Sequence, residues 1–180
     1  MSRCPGCSGE FGDIDGPTHP YMESSPGCWR TFGEVVAADY SDPDRMAFHQ
    51  LVVDSYAAQH PGAGDRRQVQ SVGLHLMTLC LFLEHDADPA RGPQLHRRMV
   101  GRPEFRPLQR SGPGEVTVAD MPSGGPLQAA RRAAFEWAAA VWATYEPEHS
   151  TVHQWLCDAG FRAGLGSDRV QRRGETEPDV

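Results

Sequence analysis

Cys4-Pro5-Gly6-Cys7 is the segment with the clearest chemistry. Two thiolates three positions apart on a Pro-Gly turn can grip one tetrahedral metal ion, and they make half of a site. Cys28, beside Trp29, is the nearest further thiol, and His19 lies between, giving the spacing C-x2-C-x11-H-x8-C. That donor set points to zinc. A redox pair is the other reading of CxxC, although a thioredoxin-like motif is expected after a strand and opening a helix, whereas this one starts the sequence.

A second set of candidates comes from helix geometry. If two helices on either side of Pro61-Gly62-Ala63-Gly64-Asp65 form an antiparallel hairpin, His49 falls level with His75, and Asp54 near Ser71. His75 is flanked by leucines, so its imidazole needs a buried partner: a carboxylate, a carbonyl or a metal. His60 sits at the turn, about 16 Å from His49 at the helical rise, too far for both to bind one ion. The metal candidates are therefore Cys4, Cys7, Cys28, His19, His49 and His75. The site is closed either by Cys28 or by His49 with His75. Asp54, Tyr56 and His60 are candidates for acid or base roles beside a catalytic metal. His149 and His153, at i and i+4 in polar surroundings, read as solvent-facing, and Cys80 and Cys157 as small core side chains.

The elements that must position these groups are helical. Apolar residues at helical spacing predict one helix from Trp29 to before Ser41 and a second over about 43–59, with Ser41 or Asp42 as cap and Pro43 in the first turn. A third, Arg66 to Glu84, is apolar nearly all round in its middle and reads as the buried centre. A short helix is expected over Pro93 to Val100, a long one over Leu127 to Tyr145, and a turn or two over Ser150 to Asp158. Residues 1–27 are rich in Gly, Pro, Ser and Asp, which is loop chemistry that metal ligation would have to order. Residues 101–126 form an irregular excursion with one strand-like run, Glu115 to Val118. The expected architecture is a mainly α, single-domain helical bundle over residues 1–160. Within it, 1–27 is a metal-tied loop, 28–100 and 127–158 the helical body, and 161–180 a mobile tail.

The chain of 180 residues, 39% hydrophobic, can close one core without disulfide staples. Its formal charge of -7 argues against general nucleic-acid binding, and no apolar run is long enough to cross a bilayer or to serve as a signal peptide. A cytoplasmic protein is expected, with its five cysteines as thiols or ligands.

Cys4-Pro5-Gly6-Cys7, Gly16-Pro17-Thr18-His19, Ser24-Ser25-Pro26-Gly27-Cys28-Trp29 and Val53 to Gly62 together resemble a family of uncharacterised bacterial proteins of unknown function. That resemblance implies no activity, and marks His19, Cys28, His49, Asp54, Gln59, His60 and His75 as candidates. A second similarity is to DinB-like helical bundles, which hold a divalent metal with one early-helix histidine and a late H-x3-H pair. It implies His49, His149 and His153 as ligands. Three functions follow: a binding module for a small molecule or protein with a structural zinc, a metal-dependent enzyme, or a thiol oxidoreductase using Cys4 and Cys7. The thiolate-rich site favours the first.

Overall fold

The computed structural model describes residues 1–101, 103–122 and 124–161. Short polar caps and prolines start most of its helices. Ser25 accepts a hydrogen bond from the Cys28 backbone and Pro26 opens α1 (Pro26–Tyr40). Asp42 caps α2 (Pro43–Met46) in the same way. The chain then leaves the helix at Ala47 and Phe48, where Phe48 turns into the core, and restarts as α3 (His49–Gln59). The single helix expected over 43–59 is thus two, and Arg45 and His49 on either side of the break both close on buried Asp39, at 3.1 and 3.0 Å.

α4 (Arg66–Glu84) begins with a reciprocal capping box between Asp65 and Gln68, and nearly every residue from Val72 to Phe82 is buried. It is the centre of the molecule, packing against α3, against α5 (Gly92–Met99), and against α6 (Leu127–Thr144) and α7 (His149–Asp158). α6 lays Ala130, Ala134, Trp137, Ala138 and Val141 along one buried stripe. The regular structure of the described residues is therefore mainly α: seven helices and a single two-stranded sheet. None of these helices is long and apolar enough to cross a membrane.

Four local expectations are corrected. Residues 1–27 contain an antiparallel strand pair, β1 (Ser2–Arg3) with β2 (Glu10–Phe11), whose tip is the CxxC turn. Glu115 to Val118 is no strand: Thr117 and Asp120 exchange capping bonds around a tight helical turn at Val118–Asp120, which buries Val118. The α3–α4 hairpin is shifted by about one helical turn, so that Asp54, not His49, faces His75. The shift arises because Pro61 first bridges to Met22 and the chain reverses only at Gly64, in the left-handed region at φ +97. Phe161 is buried beneath the Arg98 guanidinium, and the remainder of the segment expected to be a mobile tail, 162–180, lies outside the described residues.

Candidate metal centre

Pro5 and Gly6 reverse the chain so that both flanking cysteines point inward. The Cys4 amide donates to the Gly9 carbonyl at 2.8 Å and the Ser8 amide to the Cys4 carbonyl at 2.9 Å, with Ser8 taking a positive φ to close the turn. Gly6 is required by proximity, since a Cβ there would collide with the Glu23 carbonyl oxygen and the His60 ring. Cys28 arrives from the first turn of α1, held by the Ser25 cap. His60 arrives from the end of α3.

The helix end itself orients His60. Its Nδ1 donates to the Tyr56 carbonyl at 2.7 Å, which also accepts the His60 amide in the last turn of the helix at 3.1 Å. That bond assigns the tautomer and leaves the Nε2 lone pair facing Cys28 Sγ at 3.3 Å, the usual outer support of a metal-bound imidazole. Cys7 Sγ lies 3.9 Å from Cys28 Sγ, and one donor atom from each of Cys4, Cys7, Cys28 and His60 falls within 4.8 Å of the others. All four residues are buried, with exposures of 0–1%. These four residues could hold a metal ion.

Aromatic rings wall the group in. Tyr56 stacks between Phe32 and His60, with centroids 3.9 and 4.0 Å away, and its hydroxyl donates to Cys28 Sγ at 3.5 Å. Burial first, and the neighbouring Cys28 sulfur after it, push the Tyr56 phenol above its ordinary range, so it stays a donor. Hydrogen bonds from the Cys28 and Cys7 thiols hold Cys4 far below the usual thiol range despite its burial. Cys28 is pushed far up by Cys4, Cys7 and burial. For Cys7, the lowering by Cys28 is outweighed by Cys4 and burial, leaving it at about 11. Three thiolates packed this closely and this deeply need a compensating positive ion.

A hydrogen-bonded clamp fixes this centre from behind. Arg110, in the 101–126 excursion, donates to the Gly6 carbonyl at 2.7 Å and to the Gln59 carbonyl at 2.9 Å. The Gln59 side chain donates to the Pro113 and Val116 carbonyls and accepts from Trp137 Nε1.

Of the residues selected from the sequence, Cys4, Cys7 and Cys28 come together, and His60, expected in an acid or base role, completes their group. The other three histidines lie elsewhere. His19 packs at a tilt against Trp29, with centroids 5.4 Å apart, and accepts from the Tyr21 amide. His49 bonds Asp39, and His75 bonds Asp54. The closure by His49 and His75 is therefore absent, as is the DinB-like set. His149 lies flat on Trp142 and His153 pairs with Glu84, so neither meets His49. Tyr56 is a wall of the centre, and Asp54 belongs to another group, with His75 and His96. Cys80 is buried as expected, but Cys157 is exposed, because α7 buries Val152, Trp155 and Leu156 instead. A signal for His60 was present: Cys4-Pro5-Gly6, Pro26-Gly27-Cys28 and His60-Pro61-Gly62 each set a donor beside a Pro-Gly pair.

Residues 2–146 match a family of unknown function, DUF5946. No curated protein and no solved structure matches the chain.

Proposed function

Because the chain belongs to the DUF5946 family, whose description assigns no activity, we propose its function from the site itself: a zinc-binding module in which one structural Zn2+ is held by Cys4, Cys7, Cys28 and His60. The observation that carries this reading is the size and closure of the donor set. Around tetrahedral zinc, with Zn–S about 2.3 Å and Zn–N about 2.0–2.1 Å, sulfur–sulfur edges are about 3.8 Å and sulfur–nitrogen edges about 3.5 Å. The Cys7–Cys28 and Cys28–His60 separations of 3.9 and 3.3 Å bracket those values. Four protein donors, all buried, leave no position for a water or substrate, which is the mark of a structural centre. Zinc there ties the N-terminal hairpin to the ends of α1 and α3, and leaves recognition of a small molecule or protein partner to the rest of the surface.

The test is elemental analysis of tag-free protein, followed by X-ray absorption at the metal edge. One zinc per chain with three sulfurs and one nitrogen is expected. A sulfur-poor shell, a bound water, or a metal-free protein whose Cys4 and Cys7 cycle between thiol and disulfide would overturn the reading.

A further inference from the structure

Asp54, His75 and His96 take no part in the sulfur centre. They meet where three helices converge, Asp54 from α3, His75 from α4 and His96 from α5. Asp54 Oδ1 lies 2.6 Å from His75 Nδ1 and 3.4 Å from His96 Nε2, and it also accepts from Gln50 Nε2 at 2.7 Å. Thr78 Oγ1 is 3.0 Å from His96 Nε2. The Thr78 hydroxyl hydrogen is directed at the Leu74 and His75 carbonyls, so His96 Nε2 donates to Thr78 and would give up that hydrogen for this nitrogen to bind a cation.

A second observation makes this more than a hydrogen-bonded trio. The Asp54 side chain is completely buried, yet its other oxygen, Oδ2, has no hydrogen-bond partner. A buried carboxylate with one bare oxygen is costly unless a positive charge sits beside it. The chain contains no lysine and no arginine among the described residues pairs with Asp54, so that charge must come from His75 and His96 themselves or from a bound cation. Meanwhile His75 and His96 retain 15% and 22% of their side-chain exposure, so the group has a closed carboxylate floor and an imidazole edge open to solvent.

We propose that Asp54, His75 and His96 bind a second ion, a first-row divalent cation, through one carboxylate and two imidazoles, with its remaining positions open to water. The donor set of one oxygen and two nitrogens suits Zn2+, Fe2+ or Mn2+ rather than a thiophilic ion. Three protein ligands with open positions is the arrangement in which a metal can activate water or a substrate oxygen. The two centres thus divide the work, one closed and sulfur-rich, the other open and sulfur-free.

Cobalt(II) is the probe that separates them, since thiolate ligation produces an intense near-ultraviolet charge-transfer band and oxygen–nitrogen ligation does not. The full-length protein is dialysed anaerobically against cobalt(II), and cobalt, zinc and protein are quantified together. One cobalt per chain is expected, with visible bands but no thiolate band. H96Q, at a partly exposed position on α5, and H75Q should weaken that cobalt by roughly tenfold or more while keeping the zinc and the circular dichroism of the wild type. Cobalt that appears only with the thiolate band, no cobalt uptake, or undiminished uptake by both variants would overturn the proposal. Cobalt without a thiolate band in a protein lacking zinc would uphold this site while rejecting the structural zinc.

Discussion

Residues 1–25 and the 101–126 excursion are the two stretches of the described chain with little regular structure, and both are organised by one end of one helix. His60, just past α3, meets the cysteines of the first; Gln59, its neighbour, gathers the carbonyls of the second. The first segment has few buried apolar side chains of its own and relies on side-chain donors able to share a cation. The second relies on hydrogen bonds to main-chain oxygens and on the burial of Val118 and Met121. Coordination is concentrated and all-or-none, whereas the hydrogen-bonded segment is held at several points that can be lost singly. Arg110 joins them, bonding a carbonyl in the CxxC turn and one at the end of α3.

Cys28→Ser should give the largest effect that distinguishes the two segments. Cys28 is the sulfur approached by Cys7, His60 and Tyr56, and it is fully buried. Its loss should release the metal and lower stability by about 3 kcal/mol or more. Hydrogen exchange should then quicken through residues 1–25 while α4 and α6 keep their protection, and a strong chelator acting on the wild type should reproduce that pattern. A variant that melts with the wild type and keeps its metal would mean the loop is held by packing alone.

Gln59→Ala should come next and act on the other segment. It strands the Trp137 indole N–H and the Pro113 and Val116 carbonyls, for a loss of about 3 kcal/mol in denaturant melts. Metal content should be unchanged. If it fell in step with stability, the two segments would form one cooperative unit rather than two. Arg110→Ala, which removes the bridge, should cost about 1–2 kcal/mol and hasten metal loss to a chelator. Arg110→Lys should not restore it, because a single ammonium lacks the fork that spans two carbonyls.

The same contrast explains what could be read from the chain. The start of α2 was legible because Asp42 caps locally, and the helical body because burial on one face imposes a 3.6-residue period, whereas the Ser25 cap went unread and the first helix was expected only from Trp29. Cys4, Cys7 and Cys28 stood out because thiols are rare and their short spacing is a local property. His60 was read apart from the cysteines because its place beside them depends on where α3 ends and on the Met22–Pro61 bridge, both set by long-range contacts. The same contacts set the α3–α4 register, and a shift of one turn was enough to exchange His49 for Asp54 beside His75. His96 was missed for a related reason: on α5 it looks like one more basic residue beside Arg97 and Arg98, until that helix is packed on α4. The resemblance marked Gln59 without a role, since an amide gathering carbonyls from a proline-rich loop leaves no spacing pattern.

The smallest effect should come from acid, and it tests how the excursion is held at its other end. Glu148 accepts both guanidinium nitrogens of Arg106, at 3.1 and 2.7 Å, together with the Gln109 amide and the Thr151 hydroxyl. Arg106 lowers the Glu148 carboxyl below its ordinary 4.5, against the opposing effect of burial, helped by the Gln109 amide. A carboxyl depressed in the folded state contributes its full stability above its unfolded pKa and loses it as pH falls through the folded value. The advantage of wild type over Glu148→Gln should therefore be steady near neutrality and shrink as pH drops from about 6 to about 3. Because Arg106 is 53% exposed, solvent screens the pair and the advantage should also fall with salt. Melting curves of the two proteins across pH, at low and high salt, would show it. A difference that ignored pH would assign the contact at Glu148 to shape and neutral hydrogen bonding, and would leave this end of the excursion without an acid-sensitive ion pair.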